Sequence, residues 1–186
     1  MQIDNIQSGQ KFLKKLRGKA ELCRFSHSEL KEKYSRYSDW KEFSVVLLSV
    51  ISAGLIGFHF REVLEGDLVL SIIFVLSLII TVAQALDHTI FKWTHKLSRH
   101  QAAVTIWGDW IREADFLEKR LGGYSSDLAD EKMQNIQEKY NGCMSSTEQI
   151  PNSKFLKYKM KFREYRLKSE EIDEMSLEDI KAAKKE

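Results

Sequence analysis

The sequence predicts an all-α protein in which a two-helix transmembrane hairpin continues into a cytosolic helical bundle. Two uncharged apolar runs, residues 43–60 and 68–86, lie in a chain of 186 residues that is otherwise strongly charged. Glycine and proline are scarce, with nine Gly and one Pro, and no useful stretch alternates with a period of two. Apolar residues outside the two runs recur at helical spacings, which favours helices throughout.

The two apolar runs are long enough to cross a bilayer. At about 1.5 Å of rise per residue they reach roughly 27–28 Å, close to the ~30 Å of a hydrocarbon core. Seven residues, 61–67, separate them. We therefore expect a membrane hairpin with residues 61–67 as its loop. The mean hydropathy of -0.37 conceals both runs, because the rest of the chain is polar.

The charges around the two runs predict their orientation. Residues 1–42 carry ten Lys or Arg against six Asp or Glu, and Lys92, Lys96 and Arg99 follow the second run. The loop 61–67 carries one Arg and three acidic residues. Because positive residues stay on the cytosolic side, we expect residues 1–42 and 87–186 in the cytosol and the loop outside. The first run starts too late for a cleaved signal peptide.

The cysteines fit this placement. Cys23 and Cys143 both fall in the predicted cytosolic part, where disulfides are rare. Their spacing matches no metal-binding motif, so we expect free thiols.

The residues before the first span predict two helices. The segment 10–24 has one apolar face, and Ser26, His27, Ser28 and Glu29 match a capping box that would begin a new helix. Nothing breaks that second helix before residue 43, so we expect it to run into the first span.

The second span is predicted to continue as one helix over residues 68–121, with Gly108 as a soft point. Gly122 and Gly123 would end it. The apolar positions beyond the span are separated by steps of 4, 3, 4, 3 and 4, which is a heptad-type seam. They are Ala103, Trp107, Trp110, Ala114, Leu117 and Leu121.

Three shorter elements are predicted after the glycine pair. Residues 127–140 favour a helix that ends at Gly142, and residues 141–149 favour a polar linker. Pro151 and its neighbours open the next helix. Ser176 begins a further capping motif before a short charged tail helix.

The sequence contains few candidates for catalytic residues. The sequence contains none of the common phosphate-loop, dinucleotide, nucleophile-elbow or zinc-protease motifs. His95 and His100 share a helix without the spacing of a metal pair, and we expect them to be solvated or interfacial. Neither apolar run contains a carboxylate that would suggest a proton relay. We expect no catalytic, cofactor-binding or metal-binding residues and no enzyme activity.

Polar and small residues within the spans are more informative. Ser77, Thr81, Gln84 and His88 form one polar stripe in the second half of span 2, and Ser49, Ala53 and Gly57 form a small face on span 1. Such groups need partners in hydrocarbon. Either they pack the hairpin against itself, or several hairpins assemble and the polar stripe lines a wet pore.

A basic aromatic helix is predicted over residues 154–168, which hold seven Lys or Arg and one Glu. Its stripe of Phe155, Tyr158, Phe162 and Tyr165 is expected to pack into the cytosolic bundle. The basic residues would then contact phosphates or anionic lipid headgroups, and the candidates are Lys154, Lys157, Lys161, Arg163 and Lys168.

The chain resembles the SLATT proteins, two-transmembrane effectors associated with bacterial nucleotide-signalling conflict systems. The similarity covers residues 24–173 and consists of the helix before the hairpin, the two close spans, the continuation with Lys96, Leu97 and residues 107–121, and the late segment with Ile150, Pro151, Phe155, Leu156 and Lys159. It implies a bacterial inner-membrane effector that is silent until infection is sensed. The sensor would be a partner encoded nearby: a nucleotidyltransferase, a SLOG-type protein or a reverse transcriptase, with a possible nucleotide signal.

The expected function is therefore a homo-oligomeric, multi-pass effector that forms a pore or perturbs the membrane in antiphage defence by abortive infection. The alternative is a membrane-anchored helical adaptor that recruits a soluble partner without conducting ions. A holin-like protein acting without a signal is a third option, and the long cytosolic part argues against it.

Overall fold

The protein is all-α over the residues that its computed structural model describes, which are 2–60 and 66–174. Side chains are described for residues 8–56, 70–170 and 173. Five α-helices occur there: α1 (Gln2–Phe60), α2 (Gly66–Leu86), α3 (Trp93–Arg120), α4 (Ser126–Ser146) and α5 (Asn152–Glu174). A π-helical turn (Asp87–Phe91) precedes α3, and a 3-10 turn (Leu121–Gly123) follows it. The tail helix predicted after Ser176 lies outside the described residues.

Helix α1 is a single helix of 59 residues. The prediction that it runs without a break into the first apolar run is confirmed. The capping box at Ser26 is wrong, because the Ser26 hydroxyl donates a hydrogen bond of 2.8 Å to the carbonyl of Leu22 one turn earlier. A serine can make this bond inside a helix, and Ser26 therefore marks no helix start.

The second apolar run does not continue as one helix to residue 121. The chain leaves α2 through the π-helical turn, and Lys92 adopts the left-handed conformation with φ 50° before α3 begins. Gly108, the predicted soft point, lies within the uninterrupted α3. The predicted stop at Gly122 and Gly123 is confirmed, since α3 ends at Arg120 and the short turn follows.

The chain divides into two compact units. The first is Met1–Glu29 with Arg99–Glu186, and the second is Leu30–Ser98. The first unit contains the core, and all six predicted seam residues of α3 and the turn after it are buried there. They pack with α1 residues Leu13, Leu16 and Ala20 and with α4 residues Ala129 and Ile136.

Polar contacts fix the helices of this first unit to one another. Arg17 of α1 pairs with both Asp115 at 3.0 Å and Glu118 at 2.9 Å on α3. The indole Nε1–H of Trp110 donates a hydrogen bond of 3.0 Å to the carbonyl of Ile136 on α4. Helix α4 extends to Ser146, so residues 141–146 belong to a helix and not to the predicted linker.

The second unit contains the apolar segments. Within the described residues one helical stretch, Leu70–Phe91, is long and apolar enough to span a membrane. The first apolar run ends at residues 57–60, whose side chains lie outside the description. Large apolar side chains of both runs are exposed, including Phe43, Val46, Val50, Phe74 and Val75. Such a surface requires an apolar environment or a partner.

Candidate functional site

The predicted polar stripe of the second apolar run is exposed to the surroundings. Ser77, Thr81, Gln84 and His88 are all exposed, whereas Ile73, Leu76, Ile80 and Ala83 on another face of α2 are half-buried. The Thr81 hydroxyl donates a hydrogen bond of 2.9 Å to the carbonyl of Ser77, so its donor is satisfied within the helix. The stripe is therefore available on the outside of the single chain.

The predicted small face on α1 is also exposed. Ser49 and Ala53 are exposed, and the side-chain position of Gly57 lies outside the described residues. The half-buried set on this helix is different, with Val45, Leu48, Ser52 and Leu55. Within one chain, the residues of the two predicted stripes are therefore not the ones that are shielded from solvent.

A buried carboxylate organises the end of the second apolar segment. Asp87 is 7% exposed and follows α2 directly. Its Oδ2 atom accepts a hydrogen bond of 2.5 Å from Lys41 Nζ, and its Oδ1 atom accepts one of 3.1 Å from the backbone N–H of Trp93. Asp87 thereby joins the start of one apolar run to the end of the other and caps the first turn of α3.

The break at this point is held by a backbone hydrogen bond and by aromatic contacts. The Asp87 carbonyl accepts the N–H of Lys92 at 2.7 Å, which closes the π-helical turn and places Lys92 in the left-handed region. A lysine there costs about 1–2 kcal/mol relative to a right-handed conformation. Aromatic contacts surround the junction, with ring centroids 5.5 Å apart for Tyr37 and Trp93 and 4.9 Å apart for Phe91 and Trp93.

An open cleft of about 780 Å³ lies beside this junction. Two of the predicted stripe residues, Gln84 and His88, line it, whereas Ser77 and Thr81 do not. The charged and titratable side chains that line it are Lys41, Asp87, His88, Lys92 and His95. This combination of cations and imidazoles can bind an anion, because Lys41 already neutralises Asp87.

Lys41 and Asp87 were missed from the sequence. Asp87 lies one residue beyond the apolar run and Lys41 two residues before the other, so a search within the runs does not find them. Their positions in the sequence could have predicted the contact, because an antiparallel helix pair brings the start of one run level with the end of the other. A single acid and a single base at those positions are natural partners.

Comparison of the chain with protein-family models, with curated protein sequences and with solved structures found no match. No group of three or more His, Cys, Asp or Glu side chains in the described part of the chain is placed to hold a metal ion.

The basic aromatic helix is α5, which begins near Pro151 as predicted. Burial of its aromatic stripe is confirmed for Tyr158, while Phe155 and Phe162 are half-buried. The prediction is wrong for Tyr165, which is 60% exposed. The ring centroids of Phe162 and Tyr165 lie 5.4 and 5.8 Å from the ring centroid of Phe25. Helix α5 therefore contacts α1 through these two aromatic side chains.

The predicted phosphate- or lipid-contacting residues of α5 differ in their partners. All five are exposed. Lys161 pairs with Glu29 at 2.6 Å, and Lys168 pairs with Glu164 at 2.8 Å. Lys154, Lys157 and Arg163 form no ion pair with another described residue. The ion pairs of Lys161 and Lys168 give these two residues a structural role in addition to any role in binding.

A buried histidine pair lies in the first unit. His27 and His100 are 2% and 3% exposed, which corrects the prediction that His100 is solvated or interfacial. Burial, and then the neighbouring His100, lowers the pKa of His27 to about 4. The thiols of Cys23 and Cys143 are half-buried in the same unit, and burial raises the pKa of each.

Proposed function

We propose that this protein is a bacterial inner-membrane effector, multi-pass with both termini cytosolic, that oligomerises and forms a pore or perturbs the membrane when triggered. Antiphage defence by abortive infection is the proposed role, and the protein is proposed to act without catalysis. The resemblance to the SLATT proteins supports this proposal. It implies a trigger from a sensor partner encoded nearby, whether a nucleotidyltransferase, a SLOG-type protein or a reverse transcriptase.

The observation that carries the proposal is the exposed polar stripe on an otherwise apolar helix. Ser77, Thr81 and Gln84 face outward from a segment whose other exposed residues are Leu, Ile, Val, Phe and Ala, apart from Ser71. In hydrocarbon the Gln84 amide needs polar partners, whereas the Thr81 donor is already bonded within the helix. A single chain does not shield this amide, so association of several copies around a shared wet path satisfies it best.

Conductance is tested with two triple variants at the same positions. The first, Ser77→Leu, Thr81→Leu and Gln84→Leu, makes the path apolar. The second, Ser77→Thr, Thr81→Ser and Gln84→Asn, keeps it polar. Overexpressed wild type and the polar variant should depolarise cells and stop growth, whereas the leucine variant should be tolerated at equal membrane abundance.

The same experiment separates the proposal from the adaptor function. Equal toxicity of all three proteins would show that the stripe does not line the conducting path. Growth arrest without depolarisation would support an adaptor. The seam on α3 is buried within the chain's own core, so an adaptor would have to use another surface.

The proposed orientation is tested separately with an introduced cysteine. Gly66→Cys lies at the start of α2 and within the proposed external loop, residues 61–67. A membrane-impermeant thiol reagent should label it in intact cells, because the positive residues flank the spans on the cytosolic side. Labelling only after the cells are opened would reverse the proposed orientation.

A further inference from the structure

The cleft beside Asp87 carries positive charge at one end of the apolar segments. Lys92 reaches it from the junction and Lys41 from α1, with His88 and His95 on its wall. Lys41 Nζ uses one of its three donors on Asp87 and retains two for another acceptor. The cleft therefore offers two ammonium groups and two imidazoles against one carboxylate.

An apolar groove of about 330 Å³ adjoins this cleft and shares Lys41 with it. Its walls include Trp40, Val45, Leu48, Ile80 and Leu86. The groove thus runs from Lys41 along the apolar parts of α1 and α2. A ligand that occupies both spaces must have an anionic end and an apolar end, which meet near Lys41.

The backbone at Lys92 provides an independent indication of a binding role. Lys92 is the one non-glycine residue with positive φ among the described residues. Glycine would adopt this conformation without strain. The lysine at this position places an ammonium group on the wall of the cleft, where glycine would be unstrained but would carry no charge.

We propose that the cleft binds the phosphate of an anionic phospholipid, whose acyl chain lies in the adjoining groove between Trp40 and Leu86. Lys92 and Lys41 donate to the phosphate oxygens. This inference rests on the proposed insertion of the two apolar segments in a membrane, which would place the cleft at the level of lipid headgroups. The acyl groove distinguishes a lipid from free phosphate.

Binding is measured on the purified full-length chain in detergent, by thermal shift and by the retention of added phosphatidylglycerol. Phosphatidylcholine and inorganic phosphate serve as the zwitterionic and free-anion probes. Phosphatidylglycerol should stabilise the wild type more than either probe. Lys92→Gly should lose about fivefold in affinity, as expected for one lysine at a lipid surface.

Lys92→Gly also separates binding from folding. The glycine relieves the positive φ, so the lipid-free variant should melt no lower than the wild type. Lys92→Arg should retain the affinity for phosphatidylglycerol. The double variant Lys15→Gln and Lys132→Gln removes two exposed charges that do not line the cleft, and it should also retain the affinity.

Three results would overturn the inference. They are unchanged affinity for phosphatidylglycerol in Lys92→Gly, an equal loss in the Lys15→Gln and Lys132→Gln double variant, and stabilisation by inorganic phosphate that matches phosphatidylglycerol. The last would assign the cleft to a soluble phosphate compound. Because the measurement is made in detergent, a failure to conduct ions in cells would leave this result unaffected.

Discussion

The Nδ1 atoms of His27 and His100 lie 2.9 Å apart in the interior of the first unit. At this distance one ring nitrogen donates and the other accepts, so the pair is held together by a single proton. His27 belongs to α1 and His100 to α3. The contact therefore ties these two helices together only while at least one ring remains neutral.

The stability of the protein should fall as the pH falls from about 6.5 toward 4. The pKa of His27 is lowered from 6.5 to about 4 in the folded protein, so between these values the unfolded chain binds the additional proton. The expected loss is on the order of 2 kcal/mol. Thermal unfolding at pH 7.5 and pH 5 should show it in the wild type, and His27→Gln should reduce it. An equal loss in His27→Gln would assign the pH dependence to other groups.

The two buried tryptophans of α3 should respond differently to the same substitution. Trp110 Nε1 is hydrogen-bonded to the Ile136 carbonyl, whereas Trp107 Nε1 is buried without a hydrogen-bond partner among the described residues. Trp110→Phe should be less stable than Trp107→Phe by about 1 kcal/mol, because only Trp110→Phe removes a hydrogen bond between α3 and α4. The ring centroids of Trp107 and Trp110 lie 5.4 and 5.2 Å from the ring centroid of Tyr140. The two tryptophans therefore have similar surroundings, and each variant serves as the control for the other. Chemical denaturation measures the difference, and equal values would rule out a contribution from the Ile136 bond.

Two tyrosines of α5 should differ in the same way. Tyr158 is 8% exposed and Tyr165 is 60% exposed. Truncating a buried aromatic side chain typically costs about 3–5 kcal/mol. Tyr158→Ala should therefore lower the melting temperature markedly, and Tyr165→Ala should lower it only slightly. Similar losses for both variants would show that the Phe25 contact of Tyr165 matters more than its burial indicates.

The ion pair of Lys41 and Asp87 should be sensitive to the loss of one partner. The two side chains are 19% and 10% exposed, and removing one partner of a buried pair typically costs about 3–5 kcal/mol. Asp87→Asn keeps an acceptor for the Trp93 N–H, so it should be less harmful than Asp87→Ala. Adding Lys41→Met to Asp87→Asn removes the unpaired cation and should recover part of the lost stability. Thermal unfolding in detergent orders the variants, and a double variant less stable than Asp87→Asn would contradict this account.

Helical periodicity was sufficient to predict the core. The steps between Ala103 and Leu121 identified six positions that are all buried, because a heptad-type stripe leaves one face for packing. The same reasoning predicted the continuity of α1, which contains no proline and no helix-ending signal between residues 30 and 43.

Local motifs were less reliable because they depend on contacts that the local sequence does not contain. Ser26 matches a helix-start pattern, yet its hydroxyl bonds back within α1. Gly142 matches a helix end, yet α4 continues to Ser146. The break after Leu86 contains neither glycine nor proline, and at this break Asp87 meets Lys41, 46 residues earlier in the chain. The helix propensities of residues near Leu86 carry no information about the contact between Asp87 and Lys41.

The half-buried native thiols make this chain a convenient host for site-directed probes. Because burial raises the pKa of both Cys23 and Cys143, few of these thiols are thiolates at neutral pH, and the thiolate is the form that alkylating reagents attack. The wild type therefore provides a low background, against which one introduced cysteine reports accessibility. For the same reason, a lack of labelling at Cys143 would reflect its slow reaction with the reagent and would not report the compartment in which it lies.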